Sequence, residues 1–311
     1  MPFLFAAAAW AQSPTLPEEW VALARERALR GDWEGVVIAA NHATGASAPV
    51  GDDAVWLLVH ADEQLGHPDR ALARVDGLIA DWDQAIAPDD LTFRRADLLW
   101  QLGRWADARL ALATIDHPDE RSPHVRLQLS VLDALIVQGL GDPTLATRKL
   151  VEALDAAAPG DAPEWQARAH RALVDIAVIQ ADAMPLGGSE RRRRRAMEGR
   201  QALLLAAAEH LAPIVTLERT PHGLAAILRL TQGLASLADA VEAQAPLPGR
   251  SDAKDAAYAA ACAQRARELR LYADQLAARG EEFALRMAWE GPEIGVLRDA
   301  RASIAARIVS P

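Results

Sequence analysis

A chain of 311 residues, 51% hydrophobic and 24% charged, can bury one large core or two ordinary ones. Its formal charge of −10 argues against general binding to nucleic acid or anionic lipid. Cys262 is the only cysteine, so an intramolecular disulfide and a thiolate metal site are both excluded; within Ala259-Ala260-Ala261-Cys262-Ala263 it reads as a small core residue. Lys149 and Lys254 are the only lysines, a bias toward arginine that a GC-rich bacterial genome would explain.

Residues 1–13 read as a signal peptide. Phe3-Leu4-Phe5-Ala6-Ala7-Ala8-Ala9 is a short apolar run, and Ala9-Trp10-Ala11 has the small-x-small form of a cleavage site. The run is too short to span a bilayer. The expectation is a periplasmic or secreted protein. The lack of a basic residue before the run keeps a cytoplasmic location as the alternative.

From residue 14 to 157 one pattern recurs. Gly31, Gly66, Gly103 and Gly141 follow one another at steps of 35, 37 and 38 residues. A period of this size reads as an array of helix pairs. Seven residues before each glycine stand Ala24, Val59, Ala96 and Ala134. Two after it stand Trp33, Pro68, Trp105 and Pro143. Five after it stand Val36, Ala71, Ala108 and Ala146. Nine and twelve after it come Ala40 and Ala43, Val75 and Leu78, Leu112 and Ile115, Leu150 and Ala153, which share one helical face with the fifth position. The glycine suits a helix end with positive φ, and the Trp or Pro opens the next helix.

With Trp20 and Val55 early in the first helices, a small residue after them, and a Gly-Asp/Arg-aromatic turn, residues 17–155 resemble the tetratricopeptide repeat. Arg95 and Asp133 depart from it, since that family usually has an apolar residue there. The resemblance implies an all-α, right-handed solenoid of antiparallel helix hairpins whose first helices line a groove for a peptide or protein segment. Arg27, Trp56, Arg94 and Arg95 project from those first helices and are candidate contacts.

Residues 158–311 carry longer helices that continue or cap the array. Spans of 164–183, 189–212, 221–244, 252–279 and 293–308 are predicted. Trp165, Ala169, Leu173, Ile176 and Ile179 form an apolar face, and Ala256, Ala259, Ala263 and Ala266 a small one. Arg191 to Arg195 is the loudest local signal, and Arg191, Arg192 and Arg195 are further candidate partner contacts.

Catalytic signals are missing. His42, His60, His67, His117, His124, His170, His210 and His222 form no i, i+4 pair and no H-E-x-x-H motif. There is no G-x-S-x-G, Walker loop or G-x-G-x-x-G. Asp52-Asp53, Asp89-Asp90 and Glu281-Glu282 are read as helix-start residues. The expected role is a non-enzymatic interaction or scaffold module with a protein or peptide partner, no nucleic acid, no stable membrane insertion, and no cofactor or metal. The alternative is a regulatory module that binds a small ligand between the array and the C-terminal helices.

Overall fold

The computed structural model describes residues 14–46, 50–81, 88–115, 120–158, 160–244 and 251–309. The signal-peptide reading of residues 1–13 and most of the inter-pair linkers lie outside these residues. Among the described residues the chain forms fourteen helices and no strand. It divides into two compact units, Met1–Asp116 and His117–Pro311.

The first unit holds three hairpins: α1 (Pro17–Leu29) with α2 (Trp33–Asn41), α3 (Val50–Gln64) with α4 (Pro68–Ala80), and α5 (Asp89–Gln101) with α6 (Trp105–Leu112). Each helix packs on the next, and α1 also packs on α3. The fourth pair, α7 (Pro123–Gly139) and α8 (Pro143–Ala156), belongs to the second unit.

All four corners share one geometry. Gly31, Gly66, Gly103 and Gly141 have φ of 71°, 76°, 72° and 94°. Each glycine N–H donates to the carbonyl three residues back. The next N–H donates to the carbonyl five back: Asp32 to Arg27, His67 to Asp62, Arg104 to Leu99, Asp142 to Val137. This pair of bonds satisfies carbonyls that the helix end leaves without partners. The second helix then starts two residues after the glycine, at Trp33, Pro68, Trp105 or Pro143. Asp32 and Asp142 cap it, accepting from the N–H of Gly35 and Leu145 at 2.9 Å.

The repeat positions are the packing positions. Ala24, Val59, Ala96 and Ala134 are fully buried, as are Val36, Ala71, Ala108 and Ala146. Small side chains here let the helices of a pair approach closely. Trp33 is half-buried, but Trp105 is 40% exposed and lies against its own turn beside Gly103. The two charges that break the repeat pattern are paired: Arg95 with Asp76 of α4 at 2.7 Å, and Asp133 with Lys149 of α8 at 2.7 Å.

Beyond α8 the second unit contains α9 (Pro163–Ala183), α10 (Glu190–Glu209), α11 (Leu211–Thr216), α12 (Thr220–Glu242), α13 (Asp252–Arg286) and α14 (Pro292–Val309). Their core joins Val174, Val178, Leu204, Leu224, Leu230, Leu234, Leu237, Phe283 and Leu297. Residues 221–242, at mean hydropathy 1.3, are long and apolar enough to cross a membrane. In the fold this is the central helix, packed against α9, α10, α13 and α14, and that packing accounts for its composition.

Five expectations need correction. The helix expected to run to residue 212 breaks at His210, because Pro213 lacks the N–H its continuation needs and its ring would crowd the carbonyl of Glu209. α13 does not stop at Arg279. Gly280 lies inside it, buried, where a Cβ would come within 2.7 Å of Leu297 and 2.9 Å of Ile227. Glu281 and Glu282 therefore lie in the last turns of a long helix rather than at a helix start. Ile179 is 49% exposed, and Val178 and Ala181 take the core side of α9 instead. Ala256, Ala259 and Ala263 are exposed; the buried small face of α13 is Ala266, Ala273, Ala277 and Gly280.

Candidate functional site

The arginine run begins α10. Gly188, at φ +90°, turns the chain into the helix, and the stem of Arg192 covers that turn. Arg193 anchors there by donating from Nε to the Gly188 carbonyl at 3.0 Å. Cations at a helix N-terminus oppose the macrodipole. Arg194 answers Glu190 one turn earlier at 3.4 Å. Arg191, Arg192 and Arg195 are exposed on the same turns. Arg200 serves another purpose: buried, it donates to the carbonyls of Met184 at 2.6 Å and Asp182 at 3.0 Å and caps the end of α9.

The start of α10 faces the end of α12 and the first half of α13 across a cleft of about 220 Å³. Glu190, Arg193, Arg194 and Met197 line it from α10, and Val241 and Gln244 from the α12 end. Tyr258, Ala261, Cys262 and Arg265 line it from α13. Its floor is apolar: Val241 is buried, and Met197 and Cys262 are half-buried against the core. The Tyr258 hydroxyl donates to Gln244, and Arg265 reaches Gln201 of α10 and Glu268, the latter at 2.6 Å. That contact holds the exposed Glu268 carboxyl below its ordinary range. Three guanidinium groups thus rim an apolar floor, with Glu190 the only carboxylate in the lining among the described residues. Such a surface offers fork-shaped donors for carboxylates and a dry seat for an apolar side chain.

The other sequence candidates lie in the first unit. Arg27 meets Asp32 across its own turn at 3.5 Å. Arg94 pairs with Glu63 of α3 at 3.1 Å and Arg95 with Asp76 at 2.7 Å. Trp56 is half-buried on α3. The structure therefore engages three of these four candidates in ion pairs. Tyr258, Cys262 and Arg265 escaped sequence reasoning, because they come from a helix that starts 50 and more residues beyond the arginine run.

Neither a family model nor a curated protein matches this chain. Among solved structures it is similar to a tetratricopeptide repeat protein from Parabacteroides merdae, at 13% identity over 93% of this chain and 98% of that one, with a TM-score of 0.42. It is also similar to a circular tandem repeat protein, at 12% identity over 94% and 70%, with a TM-score of 0.25.

Proposed function

We propose that this protein is a non-enzymatic helical-repeat interaction module that seats an acidic, partly apolar segment of a protein partner in the cleft between α10, α12 and α13. The observation that carries this reading is Arg193, Arg194 and Arg265 around one apolar floor, in a chain whose overall charge is negative. Arg191, Arg192 and Arg195 extend the positive surface beside it and would steer such a segment. The cleft favours a peptide side chain over a free metabolite: about 220 Å³ falls below the roughly 300–1,000 Å³ usual for small-molecule sites. The proposal includes export to the periplasm, on the strength of the apolar run and cleavage-like site in residues 1–13; sequencing the N-terminus of the native protein tests that part.

Fluorescence anisotropy tests the cleft. The probes are a labelled glutamate-rich peptide with a central leucine and a serine-rich peptide of equal length. The acidic peptide is expected to bind preferentially and to weaken as salt rises. The double substitution Arg193→Ser with Arg194→Ser should reduce its affinity by about tenfold or more. Equal binding of the two peptides, or indifference to the substitutions in a variant with an unchanged circular dichroism spectrum, would overturn the reading.

A further inference from the structure

His170 of α9 and His210, the hinge residue between α10 and α11, are 40 residues apart in sequence, yet their Nδ1 atoms stand 3.2 Å apart. The rings lie 5.3 Å between centroids at 38°. Both are half-buried, and burial holds both rings neutral at pH 7. Without a metal, one Nδ1 must carry a proton and donate it to the other. Moving that proton to Nε2 frees both Nδ1 lone pairs, 3.2 Å apart.

We propose that His170 and His210 form a binding site for a divalent transition metal, with both Nδ1 atoms as ligands. The spacing suits it. Two imidazole nitrogens at ~2.0–2.1 Å from a tetrahedral centre lie roughly 3.3 Å apart. His170 lies in α9 and His210 at the break after α10, so the metal would tie the middle of α9 to the hinge at which Pro213 forces α10 to end. Glu209, next to His210 and close enough to act on its charge, supplies the nearby negative potential a cation needs. Among the described residues no group of three or more His, Cys, Asp and Glu converges anywhere, so water fills the remaining positions. Imidazole with water suits copper, nickel and zinc, with copper tightest. This site is separate from the arginine cleft, and either proposal can fail without the other.

The test uses the full chain stripped of metal. Titration with zinc, followed by calorimetry, is expected to show one tight equivalent per chain. Cobalt in its place should give the visible absorption of a four-coordinate centre. His170→Asn and His210→Asn should each weaken zinc binding by about tenfold or more, while His124→Asn, on the exposed start of α7, should leave it unchanged. If either variant unfolds, copper and ascorbate oxidation of the native chain, mapped by peptide mass spectrometry, should modify His170 and His210 first. Absence of stoichiometric binding, full retention by the variants, or oxidation centred on other residues would overturn the site.

Discussion

Arg94 of α5 reaches Glu63 of α3 at 3.1 Å and so ties the first helix of one hairpin to the first helix of the hairpin before it. Arg25 of α1 makes the same kind of tie to Asp53 of α3, at 2.8 Å, but with both side chains about half exposed. The Glu63 side chain is only 10% exposed. Glu63 keeps other contacts, among them His60 at 4.0 Å, but losing the close Arg94 guanidinium costs a nearly buried carboxylate more than an exposed pair contributes. Arg94→Ala is expected to lower unfolding stability by about 1–2 kcal/mol, and Arg25→Ala by less than about 0.5 kcal/mol. Urea denaturation of the two variants checks this. Equal effects would show that burial of Glu63 does not set the strength of the tie.

Two glycines of the second hairpin separate backbone need from accident. Gly66 has φ +76° at the corner. Gly77 lies inside α4, exposed, with open space where a Cβ would go. Gly66→Ala should destabilise by about 1–2 kcal/mol, because an L side chain is strained there. Gly77→Ala should stabilise by roughly 0.5–1 kcal/mol, because a helix interior favours alanine. Thermal unfolding should move in opposite directions for the pair.

The corners were legible in sequence because each is fixed by a few adjacent residues: a glycine, an opener two positions on, and small residues at fixed offsets. The same locality failed where packing between distant helices decides. Gly280 looks like a helix stop, yet it is the point where Leu297 and Ile227 press on α13. Ala256, Ala259 and Ala263 look like an interface, yet among the described residues nothing covers them, since burial of the small face begins at Ala266. The arginine run was audible as a charge cluster, but its cleft needs Tyr258 and Arg265 from α13. The meeting of His170 with His210 has no spacing signal at all.

The histidine pair also sets a pH dependence. Burial lowers His170 to about 4, and lowers His210, whose neighbour Glu209 opposes the shift. Burial and Arg94 lower His60 as well. A histidine whose folded pKa is depressed binds fewer protons folded than unfolded. Stability is then greatest above the unfolded pKa near ~6.5 and falls as pH drops toward the folded one. Between pH 7 and pH 4 the wild type is expected to lose stability from this source, up to about 3 kcal/mol for His170. His170→Asn should flatten that part of the profile. A wild-type-minus-variant difference that does not change with pH would rule the linkage out.

Arg270 gives the last prediction, one in which charge and volume act separately. Its side chain is nearly buried on α13 and reaches two carboxylates of α12, Asp239 at 2.8 Å and Glu242. These bonds hold both carboxyls below their ordinary range, Glu242 chiefly through its hydrogen bond from Arg270. Both acids are also nearly half exposed, and Arg307 of α14 still contacts Asp239. Loss of the guanidinium therefore strands no buried charge, because water and Arg307 take its place. Among the described residues the buried Nε of Arg270 has no hydrogen-bond partner, so a neutral side chain also removes an orphaned donor. The volume is different: the side chain is nearly buried where α13 packs on α12, and truncation is expected to open a void there. Arg270→Met should stay within about 1 kcal/mol of wild type, and Arg270→Ala should lose about 2–4 kcal/mol. Chemical denaturation at pH 7 distinguishes them. If Met and Ala are equally damaging, the ion pairs hold α13 to α12 and the packing of the stem is secondary.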